Sequence, residues 1–128
     1  MIIPRTYCRM ALLSTVLLFA GCQHVVTPQG DFVQTNQQAE QKPLSLQFNQ
    51  GRISGFTGCN RAMGSFTVDK GDLVVSQLAS TMMACEETAM QREQAFSNFL
   101  QSKPALSIDS NVLILSKDDI EYRFSLQP

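Results

Sequence analysis

The chain has 128 residues, 10 Lys and Arg against 11 Asp and Glu, a single His and no Trp. That length allows one modest core and argues against two domains. The basic residues are scattered, which excludes a phosphate-binding surface for nucleic acid, and no segment after residue 22 offers the roughly 20 apolar residues of a membrane-spanning helix.

Arg5 and Arg9 precede an apolar run from Met10 to Ala20, the arrangement of a secretory signal and too short for a stop-transfer span. Leu18-Phe19-Ala20-Gly21-Cys22 resembles the lipobox of bacterial lipoproteins, with Phe19 where Leu is usual. Residues 1–21 are therefore expected to be removed and Cys22 to carry the lipid, an anchor and not a catalyst. The alternative is an ordinary cleaved signal that leaves Cys22 as a free thiol. Gln23 after the cysteine suggests sorting to an outer membrane in a Gram-negative host, with the domain in the periplasm. Several acyl chains on one residue hold a protein to a bilayer far better than one, at ~0.8 kcal/mol per buried methylene. The 107 residues left after removing 1–21 carry 8 basic and 11 acidic groups, a formal charge of −3.

Residues 22–43, rich in Gln, Thr, Val and Asn with Pro28, Gly30 and Pro43, read as a tether with one weak strand at Asp31 to Gln34. The domain proper is expected over residues 44–128. Leu44, Leu46 and Phe48 alternate with polar residues, Asn49-Gln50-Gly51 turns the chain, and a strand follows at Arg52 to Phe56. A third strand carries Phe66 and Val68, and Asp69-Lys70-Gly71-Asp72 reverses the chain into Leu73, Val74 and Val75. Beyond Cys85 the period changes: Ala89, Phe96, Phe99 and Leu100 recur at helical intervals for about four turns, and Lys103-Pro104 ends the helix. Strands near Ala105 to Ile108, Val112 to Ser116 and Ile120 to Leu126 complete the chain, with Tyr122, Phe124 and Leu126 facing the core. The fold class is α+β and mainly β: an antiparallel sheet curled into a partial barrel with one packed helix, since a flat sheet would leave its edges unprotected.

Cys8 leaves with the signal and Cys22 is modified, so Cys59 and Cys85 remain. An exported small domain with two cysteines is expected to join them. No Cys-x-x-Cys motif suggests redox exchange, and the further ligands of a metal site are missing.

Gly58-Cys59-Asn60-Arg61, Gly64, Ser80-Thr81-Met82-Met83-Ala84-Cys85 and Glu93-x-x-Phe96-x-x-x-Leu100 occur in the order found in the META domain of HslJ-like proteins, and the chain resembles that family from Leu44 to Leu126. The resemblance implies the HslJ-like fold, an antiparallel barrel-like sheet plus a helix. It also implies an envelope protein tied to heat shock or stress and to novobiocin resistance, with no established enzymatic activity. The family's first strand usually bears a tryptophan; this chain has none, so a degenerate first strand is expected.

Glu93 shares the helical stripe of Ala89, Phe96 and Leu100, and a carboxylate on an apolar face must be paired, hydrogen-bonded or neutral. It is expected to accept hydrogen bonds from the Asn60-Arg61 loop or from Thr81, chiefly as a polar clamp and, in a second reading, as a perturbed carboxylate in a ligand site. Met82, Met83 and Met90 are read first as core filling and second as the lining of an apolar groove. Catalysis is not expected. The one histidine, His24, stands beside the anchor, and Glu86-Glu87 and Asp118-Asp119 read as surface charge. The sequence thus points to a non-enzymatic envelope lipoprotein, needing no cofactor or metal, that meets the membrane through Cys22 and acts on a protein or peptide partner or on envelope integrity. A pilotin-like chaperone and an inhibitor of a hydrolase such as lysozyme are the alternatives.

Overall fold

The computed structural model describes residues 26–128; the expected signal segment, lipobox and His24 lie outside that range. Eight strands, β1 (Gly30–Gln34), β2 (Ser45–Asn49), β3 (Arg52–Phe56), β4 (Arg61–Asp69), β5 (Asp72–Ser80), β6 (Ala105–Asp109), β7 (Val112–Lys117) and β8 (Ile120–Leu126), form a closed antiparallel barrel in chain order. One helix, α1 (Glu87–Leu100), lies between β5 and β6 in the chain. Four hairpins turn through two residues, and in two of them, at Gln50-Gly51 and Lys70-Gly71, both residues have positive φ, the handedness that matches the twist of the flanking strands.

Two expectations are corrected at the start of the chain. The strand expected at Asp31 to Gln34 is present, but it belongs to the barrel and not to a tether: β1 pairs with β2 on one side and with β8 on the other, where Phe32 stands opposite Leu126 and Gln34 opposite Phe124. The folded unit therefore begins before Leu44, and Pro28 ahead of β1 is already fully buried. Nor is the first strand degenerate. Phe32 is 2% exposed and packs edge-on against Phe48, their ring centroids 5.9 Å apart, so β1 supplies an aromatic core residue without a tryptophan. This strand turns the expected partial barrel into a closed one and removes the exposed edges.

The core follows the period-two pattern of the strands. Leu46, Phe48, Ile53, Phe66, Leu73, Leu113, Leu115 and Phe124 point inward and are buried. The seam between β5 and β6 is thin, a single residue pair, Asp72 with Ala105, flanked by the bonds from Leu73 N–H to the Pro104 carbonyl and from Leu106 N–H to the Gly71 carbonyl, each 2.8 Å. α1 compensates by driving Phe96, Phe99 and Leu100 into the interior, where Phe96 and Phe99 meet Tyr122 at centroid distances of 4.9 and 4.7 Å. The helix ends at Gln101, whose N–H still bonds the Ser97 carbonyl, shortly before Pro104.

A meander of this kind sorts its connections to alternate ends. Residues 26–29, the β2–β3, β4–β5 and β6–β7 turns and the C-terminus share one end, where Gln29 bonds Asn49 and Leu126 N–H bonds the Asn111 carbonyl. The connection 35–44, the loop 57–60, the segment 81–86 and the start of α1 share the other.

Candidate functional site

The second of these ends holds every candidate residue that lies within the described range. The loop 57–60 is a tight turn in which Thr57 N–H bonds the Asn60 carbonyl at 3.1 Å. Gly58 adopts φ +131°, and a Cβ there would stand 2.9 Å from the Glu93 backbone nitrogen, so α1 packs directly on the backbone of this loop. The sulfurs of Cys59 and Cys85 lie at bonding distance, with Cα atoms 6.0 Å apart, and tie the loop to the segment that leads into α1.

Glu93 reaches sideways from the helix into the same loop. One carboxylate oxygen accepts the Asn60 backbone N–H at 2.6 Å and the Thr57 hydroxyl at 2.8 Å; the other accepts the Asn60 side-chain amide at 2.9 Å. Asn60, 3% exposed, is saturated in turn: its Oδ1 accepts Met83 N–H at 2.7 Å and the Thr81 hydroxyl at 3.1 Å, and its Nδ2 also donates to the Met83 carbonyl at 3.3 Å. Partial burial alone would raise the Glu93 pKa, but the hydrogen bonds from Asn60, Thr57 and the Cys59 backbone outweigh it and hold the carboxyl below its ordinary value. Glu93 is thus an ionised, fully engaged carboxylate.

Two expected donors are placed elsewhere. The Arg61 guanidinium turns outward to Gln47 Oε1 at 3.0 Å, and only its backbone N–H joins the network, through Thr81 Oγ1 at 3.2 Å. Thr81 bonds Asn60, not Glu93. The donor that the sequence reading missed is Thr57, three residues before Asn60. Its signal was the turn itself, which folds residues 57 and 60 onto one another.

The methionines are also corrected. They do not fill the core: Met82 is 93% exposed, Met83 59% and Met90 40%, and Met63 on the outer face of β4 is 52% exposed. Isolated apolar side chains at the surface are common, but three from one short stretch of chain at one end of the barrel form a group. The expected apolar groove is a cleft of about 230 Å³ between α1 and the end of β5. Only Met90 of the three methionines lines it, beside Leu78 and Ala62, and Ser80, Glu93, Gln94, Ser97 and Gln101 make its wall mainly polar. Glu86, Glu87, Asp118 and Asp119 are exposed, and among the described residues no three His, Cys, Asp or Glu side chains converge on a point.

Fold and site together define a small eight-stranded barrel with one helix packed against it and a loop-to-helix polar clamp. The META domain family model matches residues 24–127, well over half of the chain, and the protein belongs to that family. Two solution structures determined by NMR are similar to it. One superposes with a TM-score of 0.65 at 25% identity, over 79% of this chain and 95% of its own. The other, a protein from Burkholderia xenovorans, has a TM-score of 0.61 at 25% identity, over 80% of this chain and 92% of its own. No curated protein matches the sequence.

Proposed function

We propose that the protein is an envelope lipoprotein, held to the outer membrane through Cys22, whose META domain is a non-enzymatic binding module in stress or antibiotic tolerance. It meets its partner with the barrel end that carries Met82, Met83 and Met90. The supporting observation is polarity of placement. Pro28 is buried at the opposite end, and the five residues between it and Cys22 reach at most about 20 Å when extended. A leash that short turns the Pro28 end toward the membrane and the methionine end away from it. Flexible, polarisable methionines suit contact with a protein surface. Commitment of the Glu93 carboxylate to three hydrogen bonds favours a structural over a chemical role for it, and the polar cleft favours surface contact over enclosure of an apolar peptide as in a pilotin.

In-cell crosslinking with mass spectrometry tests the reading on the wild type, on Cys22→Ala and on Met82→Lys/Met83→Lys. A dominant protein crosslinked to the wild type and lost in both variants is the expected result. The same set of abundant envelope proteins in all three would overturn it. Metabolic labelling with a fatty-acid analogue, incorporated by the wild type and not by Cys22→Ala, checks the anchor.

A further inference from the structure

The flank of α1 opposite the methionines holds a second cleft, about 220 Å³, whose lining includes Gln41, Lys42, Gly58, Thr88 and Arg92. Its two charged residues are both cations, and neither has a carboxylate partner: the one ion pair among the described residues joins Arg123 and Glu121, elsewhere. Arg92 is partly buried, and its guanidinium rests on two neutral oxygens, the Lys42 carbonyl at 2.6 Å and Gln34 Oε1 at 2.8 Å. A guanidinium carries five N–H donors, and two of them are engaged by described residues, which leaves the others for solvent or a ligand. Desolvation pushes its pKa down from the ordinary value, and the nearby Tyr122 phenol opposes that shift. The exposed Lys42 ammonium stands 4.4 Å from the centre of the Phe56 ring. Of the acids on the helix, Glu87 accepts from Gln91 at 3.2 Å, and Glu93, next to Arg92 in the chain, is held by Asn60 and Thr57.

Two cations without a carboxylate partner among the described residues, beside a cleft that Thr88 and Gln41 also line, match an oxyanion. We propose that this cleft binds the phosphate or carboxylate group of a small solute, with Arg92 as the planar, partly dehydrated anchor and Lys42 swinging from the Phe56 ring to the ligand. The two bonds to Gln34 and Lys42 fix the guanidinium plane beside the cleft and leave its charge without a carboxylate among the described residues. The site is independent of the methionine surface and of any protein partner there.

Inorganic phosphate and acetate serve as probes in separate titrations of the full processed chain in non-ionic detergent, followed by ¹⁵N amide shifts, with chloride at matched ionic strength as the control. Lys42→Gln removes one charge while keeping the backbone carbonyl that Arg92 uses. Lys70→Gln makes the same change of net charge in the turn at the far end of the barrel. The expected result is saturation by at least one of the two anions in the millimolar range, with shifts at Gly58, Thr88 and Ala89, weakened about five-fold or more in Lys42→Gln and unchanged in Lys70→Gln. Saturation by phosphate alone or by acetate alone supports the site and identifies the ligand class. Shifts reproduced by chloride, an equal response in Lys42→Gln and the wild type, or no saturation by either anion overturns it.

Discussion

Replacing Glu93 by Gln should cost the domain about 2 kcal/mol. The carboxylate accepts three hydrogen bonds. An amide in its place keeps one oxygen, best set where Asn60 N–H and the Thr57 hydroxyl converge, and this turns its NH₂ group toward Asn60 Nδ2, donor against donor. Asn60 cannot escape by flipping its amide, because Oδ1 is held by Met83 N–H and Thr81 and a flip would strand both. One hydrogen bond to a charged acceptor, worth about 1.5–3 kcal/mol, is lost, and the two that remain become neutral. Glu93 is partly exposed, so water replaces some of this and the figure belongs in the lower half of that range. For a domain of this size 1 kcal/mol moves Tm by about 4–8 °C, so a fall of about 8–15 °C is expected by circular dichroism at pH 7 with the disulfide intact. A change under about 3 °C would refute the clamp, because three short hydrogen bonds to a carboxylate cannot be lost so cheaply.

The pH dependence follows from the same group. Because its folded pKa is depressed, the stability Glu93 contributes is complete above the ordinary glutamate value of about 4.3 and is lost as pH falls through the folded value. The urea-unfolding difference between wild type and Glu93→Gln should therefore stay constant from pH 7 to about 5 and shrink below about 4.3; a gap that widens in acid would contradict the direction of the shift. Gly58→Ala places a Cβ 2.9 Å from the Glu93 nitrogen at a φ of +131° and should destabilise by at least about 2 kcal/mol, read as a lower urea midpoint with unchanged slope. Reducing the link between Cys59 and Cys85, 26 residues apart, should cost roughly 3–4 kcal/mol on the chain-entropy model; superimposable urea curves with and without dithiothreitol would show that the clamp alone holds the loop.

Much of this protein was legible in its sequence because local signals dominate there. Alternation in residues 44–56 and 105–126, the Gln50-Gly51 and Lys70-Gly71 turns and the Phe96-Phe99-Leu100 face each act over a few residues, and each element stands where its pattern placed it. The motif order from Gly58 to Leu100 was enough for the family, and Glu93 was marked as a residue needing partners because a charge on an apolar stripe demands them.

The tertiary structure decided what depends on neighbours distant in sequence. Asp31 to Gln34 read as a weak strand within a tether because only Phe32 and Val33 are apolar, yet pairing with β8, some ninety residues later, makes this the strand that closes the barrel. Asn60 donates to Glu93 as its place in the loop suggested, but Arg61 does not: the outward register of β4 sends its guanidinium to Gln47, and the turn brings Thr57 in its place. The methionines carry no local sign of exposure. They are outside because the interior is already filled by aromatic and leucine side chains from the strands and α1, so the segment 81–86 crosses the rim of the barrel with Met82 and Met83 turned to solvent.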